Sequence, residues 1–308
     1  MNFSGKTPVI CGPTGSGKTA IALEIAEKLP IEIVSADSGQ MIRRLDIGTA
    51  KPTKREQQQV RFHLIDIINP GDNYTAFKFI DDADRAISEI IERNKIPVIV
   101  GGTGLYLKAL SEGVFEIEAP NAEVRARLED EMDKFGARAM YDRLKNVDPQ
   151  EAANVHLNNK MRITRALEIY YLTGEPKSEL IKSGRHKKSV HSIEYFCLLP
   201  EREKLYRIIE RRIDKMLEQG FLEEINRLKK AGLEEPVQKM NVIGYNELLE
   251  HINGNTTFEK AVLLIKQNSR RYAKRQVTWF KHQIDGNYFS TPKELKNAVI
   301  EAYSGFLR

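Results

Sequence analysis

The sequence predicts an α/β fold: a parallel sheet flanked by helices, with an α-helical insertion domain. Three observations predict it. Short apolar, mostly β-branched runs alternate with helix-length amphipathic segments through the first hundred or so residues. A glycine-rich loop joins the first of these runs to the first helix. From Ala122 to Lys182 helical spacing dominates without a convincing strand signal, and an apolar run returns at Ile193.

Thr7-Pro8-Val9-Ile10-Cys11 is the first strand, ended by Gly12. Lys18 to Leu29 follows as a helix, with Ile21, Ala22, Ile25, Ala26 and Leu29 at helical spacing. Ile31 to Ser35 and His63 to Ile67 read as the second and third strands. Tyr74 to Arg93 reads as a helix with Phe79, Ile80, Ala83, Ile87 and Ile90 on one side. Ile96 to Val100 is the fourth strand, stopped by Gly101-Gly102. Within the insertion, Val124, Leu128 and Met132, then Met161, Leu167, Ile169 and Leu172, carry the helical period. Gly184 to Ser189 reads as an exposed basic linker, and Ile193 to Leu199 as the fifth strand, closed by Pro200. Leu205 to Lys230, Asn246 to His251 and Phe258 to Lys281 are helical. The organisation expected is therefore a core of residues 1–116 and 191–308, with an insertion at 117–190.

Composition narrows the classes. The chain has 308 residues, 41% hydrophobic and 30% charged, which excludes a disordered, collagenous or coiled-coil chain. Its longest apolar runs are too short to cross a bilayer. The stretch before Val9 has no apolar segment of signal length, so a cytoplasmic chain with no membrane association is expected. Lys and Arg number 48 against 43 Asp and Glu, a net charge of +5 that mildly favours an anionic partner. Cys11 and Cys197 sit in β-branched runs and read as buried free thiols.

Gly12-Pro13-Thr14-Gly15-Ser16-Gly17-Lys18-Thr19 fits G-x-x-x-x-G-K-[ST] in full, between a strand and a helix. The glycines let backbone N–H groups approach phosphate oxygens, and the helix N-terminus adds its positive end. Lys18 supplies a point charge and the Thr19 hydroxyl a ligand for Mg²⁺. A sheet that opens on such a loop is a P-loop kinase-like architecture. A second strand ending in an acid, as nucleotide hydrolases and kinases carry, is not evident: Val98-Ile99-Val100 runs into Gly101-Gly102-Thr103-Gly104, and Leu64-Ile65-Asp66 is a weak candidate.

Asp37 follows the second strand, and in open α/β sheets ligands lie at the C-terminal strand ends. Two roles stand for it on these grounds, contact with the reacting groups or the capping of a turn.

Several strings together resemble the tRNA dimethylallyltransferase (tRNA isopentenyltransferase) family. They are Gly12 to Thr19, Asp37-Ser38-Gly39-Gln40, Asp46 to Pro52, His63 to Asp66, Gly101 to Tyr106, Ile243-Gly244-Tyr245 and Ala273 to Phe280. They run in family order over nearly the whole chain. The resemblance implies transfer of a dimethylallyl group from dimethylallyl diphosphate to the N6 amine of the adenosine 3′-adjacent to the anticodon. It implies that Gly12 to Thr19 hold a prenyl diphosphate with Mg²⁺, that Asp37 orients the amine and takes its proton, and that Arg212 and Lys18 meet the diphosphate. Without the resemblance, Arg212 would read as a solvated helix arginine. The acceptor base must leave its stack to reach a buried carboxylate, at a cost of about a few kcal/mol.

The resemblance also implies that Asp37, Ser38, Gly39, Gln40, Thr103, Arg125 and the segment Asn159, Lys160, Met161, Arg162 and Ile163 meet the tRNA anticodon stem-loop. The residues themselves add a basic stripe: Arg271, Lys274 and Arg275 share a helix face, a pattern suited to phosphate backbone. Trp279 reads as core. A monomer is expected. Adenylate isopentenyltransferase activity on free nucleotides, a small-molecule P-loop kinase and a non-catalytic RNA-binding switch are the competing readings.

Overall fold

The computed structural model describes residues 5–115, 121–183 and 186–307. They form two compact units, one of residues up to Glu112 and from Ser189 onward, the other Gly113–Lys188. The expected insertion was 117–190. In the first unit the chain runs β1 (Thr7–Cys11), α1 (Lys18–Ala26), β2 (Ile31–Ala36), α2 (Lys54–Gln59), β3 (Phe62–His63), α3 (Ala76–Glu92), β4 (Ile96–Gly101) and α4 (Gly104–Glu112). The second unit holds β5 (Val114–Phe115), α5 (Ala122–Val147), α6 (Pro149–Asn154), α7 (Lys160–Thr173), α8 (Lys177–Lys182) and β6 (His186–Lys187). The first unit then resumes with β7 (Ile193–Leu198), α9 (Arg202–Glu218), α10 (Phe221–Lys230), α11 (Glu234–Met240) and α12 (Tyr245–Ile252). It ends with α13 (Phe258–Gln283), β8 (Asn287–Phe289), α14 (Pro292–Tyr303) and a 3₁₀ turn.

Six parallel strands make one sheet in the order β3-β2-β4-β1-β7-β8. Strands β1, β2 and β4 are buried along their whole length, as a parallel sheet covered on both faces requires. On one face Ile21 and Ile25 of α1 and Leu295 and Val299 of α14 pack on Ile33, Val98 and Phe196. Register sets the site. Cys11 pairs with Gly101 and Cys197, and Ala36 pairs with Gly101, so Gly12, Asp37 and Gly102 leave the sheet side by side.

Local chemistry ends the elements. Thr75 caps α3 and Thr257 caps α13, each accepting from an amide of the first turn. Thr291 and Glu294 form a reciprocal capping box on α14, with Pro292 in its first turn. The stretch Leu205 to Lys230 is two helices, because Gly220 at φ 94° breaks the run. Strand β3 is shorter than expected: Leu64 and Asp66 have φ of 60° and 55°, which no extended strand tolerates. Asp66 is accordingly no strand-end metal acid, and its carboxylate pairs with Lys51 at 2.6 Å. Trp279 is not core. It is partly exposed and lies over Gly104, where a Cβ would come within 2.7 Å of the indole. Both cysteines are buried and free.

In the second unit, Leu128, Met132, Met140, Leu144, Val155, Ile163 and Leu167 form a separate core. The basic stretch before β7 is not simply a linker. His186–Lys187 pairs antiparallel with Val114–Phe115, and Ser189 is buried and bonds to Asp84. Gly184 and Arg185 of that stretch lie outside the described residues. Among the described residues no helix is long and apolar enough to cross a membrane.

Candidate active site

The phosphate loop fills the turn between β1 and α1. Gly12 has φ 151°, and a Cβ there would lie 2.4 Å from the Leu198 carbonyl oxygen, so only glycine fits. Gly17, at φ 94°, precedes α1 without a side-chain cap, leaving the helix N-terminus open to an anion. Lys18 Nζ donates to the Pro13 carbonyl at 2.9 Å, and Ser16 Oγ is buried without a partner. An unpartnered buried hydroxyl beside an open helix end fits a phosphate oxygen.

Asp37 fills the second of the two roles left open for it, the capping of a turn. Its Oδ1 accepts from the amides of Gly39 (3.0 Å) and Gln40 (3.4 Å), which fixes the turn after β2. Among the described residues nothing donates to Oδ2. Thr103, after β4, steadies the same turn by accepting from the Ser38 amide at 3.0 Å. Gln40 is also turned inward, accepting from Ser35 Oγ and donating to the Ala50 carbonyl.

Arg212 comes from α9. Its Nη2 donates to Thr14 Oγ1 at 2.6 Å, and its Nε is buried without a partner. It is thus no solvated helix arginine. Burial pulls its pKa down, and the Asp37 charge opposes that. Lys18 behaves alike: burial lowers it from 10.5 to about 8 against the favourable pull of Asp37, with Arg212 adding to the fall.

Two cavities meet here. The first, of about 480 Å³, runs from the phosphate loop past Thr19, Ile33, Phe62 and Val100 to Ile208. The second, of about 450 Å³, runs past Ser38 and Gly39 to Asn246, Tyr272, Arg275 and Gln276. Thr14, Lys18, Asp37, Thr49 and Arg212 line both. The first therefore offers an apolar wall behind a cationic loop, and the second a polar one. Tyr272 sits close enough to feel the Asp37 charge: burial first, then that carboxylate, pushes its phenol up to about 12.

Three supports of this site escape sequence reasoning. Glu224 on α10, 3% exposed, accepts from the amides of Asp46, Ile47 and Gly48 and from the Tyr245 hydroxyl, so one carboxylate fixes the Asp46 to Pro52 string. Lys51, its side chain 3% exposed, donates to the Ile42 carbonyl and pairs with Asp46 and Asp66. Gln276 on α13 accepts from the Thr14 amide and donates to the Gly102 carbonyl, each at 2.8 Å. The partners of Glu224 and Gln276 lie far away along the chain, so no local string signals these bonds.

The residues expected to meet RNA divide. Arg271, Lys274 and Arg275 are exposed, with Arg275 over the Tyr272 ring at 5.7 Å. Ser38 and Gly39 line the second cavity. In the second unit Lys160 and Arg162 are exposed, Met161 is 77% exposed, and Arg125 pairs with Glu129. Asn159 caps α7 by accepting from the Arg162 amide. Ile163 is 0% exposed inside that unit's core, because it shares the apolar face of α7 with Ala166 and Leu167.

Fold and site together define a P-loop α/β protein with two substrate-sized cavities joined at one carboxylate. A sequence model of the family described as IPP transferase matches residues 40–283. The chain belongs to that family. It is 46% identical over 276 residues to tRNA dimethylallyltransferase 1 of Pelobacter propionicus, covering 88% of each chain. It is 41% identical over 298 residues to tRNA dimethylallyltransferase of Geobacter metallireducens, covering 97% of this chain and 96% of the other. Among solved structures it is similar to a full-length tRNA isopentenylpyrophosphate transferase from Bacillus halodurans, with TM-score 0.69, 37% identity, and 98% and 97% coverage. It is also similar to a eukaryotic dimethylallyltransferase acting on tRNA, with TM-score 0.78, 29% identity, and coverage of 97% of this chain and 78% of that one.

Proposed function

We propose that this chain transfers a dimethylallyl group from dimethylallyl diphosphate to the N6 amine of the adenosine 3′-adjacent to the anticodon in tRNA. The observation that carries the reading is the seam between the cavities, where Asp37 Oδ2 has no protein partner among the described residues and Lys18, Thr14 and Arg212 stand around it. The donor's diphosphate lies on the loop amides, with its hydrocarbon chain along Ile33, Phe62 and Val100. The extruded adenine enters the second cavity beside Tyr272.

The C–O bond to diphosphate breaks as the new C–N bond forms at the same carbon. Negative charge grows on the departing oxygens, where the loop amides, Lys18 and Arg212 stabilise it. The amine is a weak nucleophile because its lone pair is delocalised into the purine. Asp37 accepts a hydrogen bond from it and takes its proton as the bond forms. With Oδ1 held by two amides, Oδ2 is the oxygen for that step.

The donor set fits Mg²⁺. Thr19 lines the first cavity, and its hydroxyl has no protein partner among the described residues. Among those residues no three or more His, Cys, Asp or Glu side chains converge, so protein ligands alone would not cage a metal. An ion held by one hydroxyl, diphosphate oxygens and water is the usual habit of Mg²⁺. When bound, it supplies further charge stabilisation to the leaving diphosphate.

The RNA backbone lies on Arg271, Lys274 and Arg275, and the second unit adds Arg125, Lys160 and Arg162. The chain acts as a monomer in the cytoplasm.

The test is incubation with radiolabelled dimethylallyl diphosphate and Mg²⁺, offered unmodified tRNA, free AMP and ATP in parallel. Label in tRNA alone is expected. Label in AMP points to a free-nucleotide transferase, ATP consumption to a kinase, and tRNA binding without label to a non-catalytic switch. Each of these outcomes ends the proposal.

A further inference from the structure

We propose that Gln276 is a positioning residue for the donor site: from the RNA-facing helix α13 it sets the shape of the phosphate loop. The inference rests on the transferase reading above. Gln276 is 7% exposed and uses both ends of its amide. Oε1 accepts from the Thr14 N–H and Nε2 donates to the Gly102 carbonyl, each at 2.8 Å. Both partners are backbone groups with one fixed polarity, so the amide has one orientation. One side chain thereby joins the loop after β1 to the loop after β4.

Thr14 is held from two directions. Its amide is fixed by α13 through Gln276, and its hydroxyl accepts from Arg212 on α9. The Ser16 amide turns back onto the Pro13 carbonyl at 3.3 Å, and Thr14 borders both cavities. A phosphate loop needs only its glycines and its helix to turn amides inward. A bond to it from a residue 262 positions away serves another purpose, to hold the cradle in shape before the donor arrives. On the same helix Ser269, Tyr272, Arg275 and Gln276 line the second cavity. The face that meets the acceptor thus also shapes the seat of the donor.

The test compares the parent chain with Gln276→Met, an apolar side chain of similar length. Steady-state transfer gives KM for dimethylallyl diphosphate and kcat, and filter binding gives tRNA affinity. KM for the donor should rise about tenfold or more, because misplacing a binding group by about an ångström costs up to about a hundredfold. The tRNA affinity should stay within about twofold of the parent, since the exposed cations are untouched. A purely structural glutamine would lower the active fraction and the melting temperature while leaving KM unchanged. An unchanged donor KM overturns the inference, as does loss of tRNA affinity in step with donor KM.

If Gln276→Met does not fold, Gln276→Asn decides. It keeps the amide on a side chain one methylene shorter, which cannot span the Thr14 N–H and the Gly102 carbonyl at once. The same rise in donor KM is expected, and an unchanged KM is again fatal to the inference. A parent chain that labels no tRNA sinks the transferase reading instead, so the two failures are distinct.

Discussion

Lys18 shows how one residue can serve a site at a cost to the fold. Its ammonium is half-buried near Asp37, Arg212 and Cys11, and desolvation is the largest influence on it, so its pKa falls from 10.5 to about 8. The sign of the linkage follows. Between about pH 8 and 10.5 the unfolded chain binds more protons at this position than the folded one. Lys18 therefore makes the folded state gain stability as pH rises through that window. Activity moves the other way, because a neutral amine no longer attracts a diphosphate. We expect kcat/KM for the donor to fall above about pH 8, with tRNA affinity little changed. A pH profile that stays level well past that value contradicts it. Lys18 could be picked out from its motif alone. The shift could not, because it depends on Asp37 and Arg212 arriving from β2 and α9.

At the scale of elements, the site is a set of loops held by distant helices. The Asp46 to Pro52 string is specific in sequence, yet nothing in it says what holds it. Glu224 does so from α10, and Phe221 and Tyr245 close over Gly48, where a Cβ would come within 2.3 Å of the Phe221 ring. Glu224→Gln places an amide NH₂ against converging donors. Each donor left unsatisfied costs about 1–3 kcal/mol. The denaturation midpoint should fall clearly, and transfer should fall with it because Thr49 borders both cavities. An unchanged midpoint would show that the loop is held otherwise. The same scale explains where sequence reasoning succeeded and failed. The loop Gly12 to Thr19 and the Asp37 turn are contiguous, so their chemistry was legible. Glu224 and Gln276 act across 178 and 262 positions and left no local mark. Strand β3 was misread because the apolar run His63 to Ile67 hides two left-handed residues. Ile163 faces the core of its unit, as its own spacing with Leu167 implies.

For the whole molecule, order along the sheet explains the convergence. Strands β2, β4 and β1 are adjacent, and their ends lie in register, so segments far apart in sequence deliver Asp37, Gly102 and Gly12 to one edge. A glycine-rich loop and alternating strands made the sheet legible, but β8 and α14 carried no comparable signal. The two units can be tested together through salt. Lys274→Ala with Arg275→Ala should weaken tRNA binding and reduce the salt slope by about 0.7–0.9 for each phosphate no longer neutralised. Adding Lys160→Ala with Arg162→Ala in the second unit should lower the slope again. A silent second pair would show that only one unit holds the RNA.

The central claim is that Asp37 Oδ2 takes the amine proton at the seam of the two cavities. Single-turnover transfer by Asp37→Asn tests it most directly. The asparagine keeps an oxygen for the Gly39 and Gln40 amides, so the turn and the affinity for tRNA should persist. The rate should fall by about a hundredfold or more, the usual worth of a positioned base. A variant that binds tRNA as the parent does and transfers at the parent's rate would contradict the account.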